Sequence, residues 1–231
     1  VLGLIAGKRF QDPLAEGAYL VTASTHKTFF GSQRGVVLSN MEADDWRKID
    51  RGAFPGSSSN HHLHTLAQLA LATHEMMEFG QQYAADVTAN AKALAAALDR
   101  HGFNVEAREF GYTESHQVAV NVSAQGGGER VSKTLEMNDI ILNMNMLPHE
   151  PLRNHDHPDG IRIGVQEMTR FGMQQDEMAV KAGRKRHRHM QNSGEDDRCM
   201  GKDHGKNKAQ EDRMQNGVVG GPRHHAAIDH G

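Results

Sequence analysis

Between His64 and Leu98 apolar residues return every three or four positions, and no other feature of this sequence restricts the fold as much. Leu66, Leu69, Ala70, Thr73, Met76 and Met77 form one stripe, and Gly80 interrupts it. Ala84, Val87, Ala91, Leu94, Ala95 and Leu98 then resume the pattern until Gly102 supplies a stop. On either side the period shortens. Ala18–Thr22 and Gly35–Ser39 read as short buried strands, and Gln117–Val122 alternates strictly, as a half-buried strand does. A helix from about Gly128 to Met137 and two strands, Ile140–Leu142 and Gly160–Gly164, follow. Strands, a long bridging helix and a smaller α+β part make a two-lobed α/β architecture, with no internal repeat.

The pattern stops near residue 180. Residues 181–231 hold Val218, Val219 and Ile228 as their only branched aliphatic residues, with no aromatic and with 11 Lys/Arg against 7 Asp/Glu. So little apolar surface cannot offset the entropy of ordering, and a polar, disordered tail is expected there. The basic run from Arg184 to Arg188 reads as part of that solvated tail. Over all 231 residues the net charge is −3, which gives no drive toward nucleic acid or an anionic membrane. No apolar run reaches the roughly 18–20 residues that span a bilayer. The single cysteine, Cys199, excludes an internal disulfide and fits a reducing, cytoplasmic setting. The first residue is Val1, inside an apolar run, so the sequence reads as the later part of something longer.

Chemistry concentrates in Ser24-Thr25-His26-Lys27-Thr28-Phe29-Phe30-Gly31. A lysine just after an apolar strand, flanked by small hydroxyl residues, sits at a strand end. Partly withdrawn from water, its amine loses its proton more readily and can attack a carbonyl. Ser24 and Thr25 offer hydroxyls to a phosphate or phenolate oxygen. The His61-His62-x-His64 and His155-Asp156-His157 clusters have metal-ligand residue types, but such close spacing rarely lets the side chains converge, so no metal is expected.

Four blocks, in order, give the sequence a family likeness. Thr22-Ala23-Ser24-Thr25-His26-Lys27-Thr28, Phe54-Pro55-Gly56 with His64, Asn143-Met144-Asn145-Met146-Leu147-Pro148 and Asp159-Gly160-Ile161-Arg162-Ile163-Gly164 together resemble serine hydroxymethyltransferase. That family belongs to the fold-type-I pyridoxal-phosphate enzymes, the aspartate-aminotransferase-like class. The resemblance implies part of a cofactor-binding large domain at residues 1–78 and an α+β small domain at 79–180. It implies that Lys27 carries pyridoxal 5'-phosphate as a Schiff base, with His26 beside the cofactor phosphate and Ser24 near the reacting imine. Asn60 would supply a backbone N–H to the cofactor phosphate of a neighbouring subunit, and Arg162 would grip the substrate carboxylate. The last role agrees with physics, since a guanidinium fork matches a carboxylate bidentately.

The implied reaction is hydroxymethyl transfer between serine and glycine with tetrahydrofolate as co-substrate, in a homodimer or dimer of dimers. A related aldolase or transaldolase, an α-methylserine hydroxymethyltransferase and a catalytically inert fragment are the alternatives. Two departures fall near the cofactor. Ser57-Ser58-Ser59-Asn60-His61 replace the family's glycine-rich continuation, and Gln33-Arg34 stand where it has Arg-Gly. The family's residues for the cofactor ring, an aspartate on the pyridine nitrogen and a stacking histidine, fall before the position of Val1.

Overall fold

The computed structural model describes residues 1–179. The elements run α1 (Leu2–Ala6), β1 (Val21–Ser24), β2 (Gly35–Leu38), α2 (Ala43–Arg51), α3 (Leu63–Arg100), β3 (Asn104–Val105), β4 (Gln117–Asn121), α4 (Gly127–Glu136), β5 (Asn143–Asn145), β6 (Gly160–Gly164) and α5 (Gln166–Arg170). The tail expected over 181–231, with Cys199 and the basic run, lies outside the described residues.

The strands form two antiparallel sheets. One is the hairpin β1–β2, with Val21 opposite Leu38 and Ser24 opposite Gly35. The other has four strands in the order β3-β4-β6-β5. Alternation along β4 and β6 buries Val118, Val120, Ile161 and Ile163 on one face. That face packs with Val131 and Leu135 of α4 and with Val87, Ala91, Leu94 and Leu98 of α3.

Four expectations need correction. The first strand begins at Val21 rather than Ala18, because the preceding residues turn instead: Ala18 N–H donates to the Pro13 carbonyl at 2.8 Å and Gly17 takes φ +99°. The strand placed at 140–142 is shifted to Asn143–Asn145, where Met144 pairs with Ile161 while Ile141 is exposed. Gly80 does not interrupt α3. It lies buried, and Gly7, at the C-terminal cap of α1, approaches it so closely that a Cβ on Gly7 would sit 2.4 Å from the Gly80 carbonyl oxygen. Finally, the apolar stripe of the helix is covered over its second half only. Ala84 through Leu98 are buried as expected, but Leu66 and Met77 are exposed.

Candidate active-site cavity

The turn that carries Lys27 is held from below by buried hydroxyls. Thr25 is 2% exposed, and its Oγ1 donates to the carbonyl of Ser32 at 2.7 Å and also reaches that of Arg34 at 3.0 Å. The Gly31 N–H closes the turn on the Thr25 carbonyl at 2.8 Å. Thr28 is 1% exposed and accepts the Gly3 N–H at 3.0 Å. Only glycine allows this approach of α1, because a Cβ on Gly3 would lie 2.0 Å from the Thr28 carbonyl oxygen. With both threonines turned inward, His26 and Lys27 between them turn outward and are exposed. Lys27 is therefore presented at the mouth of a pocket rather than withdrawn from water, against the expectation from its strand-end position.

Arg34 fastens the far end of the turn to the start of α3. Its Nε donates to Thr65 Oγ1 at 2.8 Å and its Nη2 to the His62 carbonyl at 2.7 Å. The arginine displaced by one position thus has a structural task here. Further along, Phe30 meets Tyr83 edge-on at 5.0 Å, and the Arg170 guanidinium lies 4.4 Å from the Phe30 ring centre while pairing with Glu75. These contacts connect the Lys27 turn to α5, which directly follows the strand of Arg162.

Arg162 sits in the middle of β6, opposite Ala119 of β4 and Asn143 of β5. Ile161 and Ile163 on either side point into the core, which leaves Arg162 on the other face. A cavity of about 580 Å³ brings it together with Lys27; His116, Asn143 and Gln166 line the same space. Lys27 and Arg162 are 135 positions apart in sequence. Ser24, half-buried at the end of β1, and His26 share the Lys27 turn without lining the cavity. Asn60 is exposed in the run of exposed residues from 51 to 64 and does not line it either.

The residue that sequence reasoning missed is His116. It is 7% exposed, its Nδ1 is sealed in the protein without a partner, and neither ring nitrogen forms a hydrogen bond among the described residues. Leaving such a group unpaired costs about 1–3 kcal/mol. Burial pushes its pKa down to about 4, and the charges of Arg162 and Lys27 push the same way, so the ring is neutral at pH 7. A signal was present, since extending the β4 alternation back from Val120 and Val118 puts a polar residue in the buried phase. Gln166 Oε1, also on the cavity, is a second buried atom without a partner. Among the described residues no group of three or more His, Cys, Asp or Glu could hold a metal ion, and no helix is long and apolar enough to cross a membrane.

Known proteins resemble this chain over most of its length. The family model described as "SHMT: Serine hydroxymethyltransferase" matches residues 1–183. A serine hydroxymethyltransferase of Archaeoglobus fulgidus is 57% identical over 182 residues, covering 79% of this chain and 41% of the relative. One of Thermoplasma volcanium is 54% identical over 178 residues, covering 77% and 42%. The chain thus spans about two fifths of the length of the curated relatives it matches. Among solved structures, an L-threonine transaldolase from Pseudomonas fluorescens, in its internal aldimine state, superposes with a TM-score of 0.74 at 31% identity, covering 82% of this chain and 42% of that one. The fold is that of the fold-type-I pyridoxal-phosphate transferases, and the chain belongs to the serine hydroxymethyltransferase family.

Proposed function

We propose that the protein carrying this chain interconverts serine and glycine by pyridoxal-phosphate-dependent hydroxymethyl transfer, with tetrahydrofolate as the one-carbon carrier. The observation that carries the reading is the single cavity onto which Lys27 and Arg162 both open. The residues present fit the cofactor and its substrate. Lys27 is a primary amine at the pocket mouth on a turn whose backbone is pinned by Thr25 and Thr28, which suits imine formation with an aldehyde. Arg162 supplies a carboxylate fork on a strand paired on both sides, so it has little freedom to drift. The cofactor, when bound, supplies an electron sink for the bond broken at the amino acid's α-carbon. Arg162 fixes the carboxylate and hence the orientation of that bond. His26 and Ser24 are proposed to sit beside the cofactor from the Lys27 turn.

Asn60 is proposed to serve the site of a neighbouring subunit in a homodimer or dimer of dimers, a reading its exposed position supports. The proposed setting is cytoplasmic. The proposed division runs between a large-domain part, residues 1–78, and a small domain, 79–180, which α3 bridges. Borohydride reduction of the native holoprotein followed by peptide mapping tests the core of the proposal. The cofactor tag is expected on Lys27, and a tag on Lys8 or Lys48 instead overturns the assignment.

The likeness to an L-threonine transaldolase favours one second reading, aldol exchange without folate. Serine cleavage measured with and without tetrahydrofolate separates the two: dependence on folate supports the transferase, and equal rates support the exchange reaction. Absence of any lysine-bound cofactor signal supports a catalytically inert chain.

A further inference from the structure

We propose that His116 is a second carboxylate-binding residue of the cavity, donating a hydrogen bond from Nε2–H to the amino-acid carboxylate held by Arg162. The proposal rests on the reading of Arg162 given above and extends it to a residue outside the family-like blocks. Three observations carry it. The imidazole lines the same cavity as Lys27 and Arg162. It is nine-tenths buried, yet neither nitrogen has a partner among the described residues, which is the condition of a polar group awaiting a ligand. Its main chain is also tied to the strand of Arg162, because the Val165 N–H donates to the His116 carbonyl at 3.1 Å. The ring is thus anchored at the end of the β4–β6 ladder, three residues beyond Arg162.

The chemistry is complementary. A carboxylate has about four lone-pair sites, and a guanidinium fork fills two of them. Two cations already face the cavity, so a neutral donor adds a hydrogen bond without a third repelling charge. Burial keeps His116 in that neutral state. A proton on Nδ1 would be sealed away from any acceptor, so the neutral ring carries its proton on Nε2.

The test uses the native holoprotein in its full length. Serine affinity is measured for the parent and for His116→Leu, His116→Gln and Arg162→Lys, with the affinities for pyridoxal phosphate and for ethanolamine, which lacks the carboxylate. His116→Leu is expected to weaken serine about tenfold, or ~1.4 kcal/mol, and to leave cofactor and ethanolamine binding within twofold. His116→Gln, whose amide nitrogen falls near the place of Nε2, should restore serine binding to within about threefold of the parent. In the parent, serine should also shift the Nε2 resonance of His116 in ¹⁵N spectra.

Serine binding unchanged in His116→Leu overturns the proposal. So does equal loss for serine and ethanolamine, or a His116→Gln variant no better than Leu. If His116→Leu does not fold, an Nε2 resonance that ignores serine in the parent overturns it alone. Arg162→Lys distinguishes the two levels: if it weakens serine while His116→Leu does not, this inference fails and the reading of Arg162 stands. If neither variant matters, or the parent does not bind serine, both fail.

Discussion

The two halves of α3 carry the same apolar period and meet different fates. From Tyr83 to Leu98 the stripe is buried, with Ala84, Val87, Ala91 and Ala95 at 0% exposure against the four-stranded sheet and α4. From Leu63 to Phe79 only Ala72 and Met76 of the helix are buried, and Met77 stands 82% exposed. Periodicity therefore specifies a helix and a preferred face, but not whether anything covers that face. The junction between the halves is the crossing of α1, where Gly7 lies against Gly80 and Ala84. α1 also seats the Lys27 turn through Gly3 and Thr28. The change from covered to uncovered helix thus falls beside the element that positions the candidate lysine.

Leu98→Ala should sharpen the contrast most. Leu98 is 2% exposed and packs under the sheet, so its truncation should cost about 3 kcal/mol in urea unfolding. Next comes Gly7→Ala at the junction. The added Cβ would meet the Gly80 carbonyl oxygen at 2.4 Å and the Ala84 Cβ at 2.5 Å, so α1 must move away from α3. A loss of about 2 kcal/mol is expected, with faster hydrogen exchange at Gly31, whose N–H closes the Lys27 turn. A wild-type exchange rate there would uncouple α1 from that turn.

Tyr83 gives the covered half a pH signature. Burial raises its pKa from 10.0 to about 12, so between those values the folded state holds a proton that the unfolded state has released. Stability contributed by this group is complete below pH 10 and falls as pH rises through 12. The parent should therefore lose about 1–2 kcal/mol more than Tyr83→Phe between pH 10 and 12. Equal losses in thermal melts at the two pH values would show that Tyr83 ionises as freely as in water. Smallest of all, Met77→Gln should change stability by less than about 0.5 kcal/mol. A cost above about 1 kcal/mol would show that a surface open in this structure is covered in solution, and would erase the difference between the halves.

Much of the site was legible, because the chemistry of a residue survives without its neighbours. The hydroxyl-lysine block put Lys27 forward as a candidate nucleophile, and Gly160–Gly164 read as a strand carrying a lone arginine; the strand lies where expected. Other parts failed for identifiable reasons. The strand misplaced at 140–142 looked better by side-chain type than Asn143–Asn145, but pairing with β6 decided the matter through main-chain bonds that asparagines make as well as any residue. Gly80 looked like a break because glycine is a poor helix former, whereas tertiary contact at the Gly7 crossing outweighs a propensity cost of about 1 kcal/mol. His116 passed unnoticed because it stands one step before the strand, and only extending the alternation of Val120 and Val118 backward marks it as a buried position.

The sequence alone determined the elements whose causes are local: the helix from its 3.6-residue period and the central strands from alternation; it also put forward Lys27 and Arg162 as candidates for the amine and the carboxylate fork of the proposed site. Tertiary structure decided what depends on contact between distant residues. Lys27 is turned outward by Thr25 and Thr28, one of them held by Gly3, some 25 positions away. Arg162 shares its cavity with Lys27 because α3 and the sheet fold back on each other. His116 loses its hydrogen-bond partners only when burial closes around it. A local period fixes a backbone repeat; burial and convergence are sums over neighbours that no short window of sequence contains.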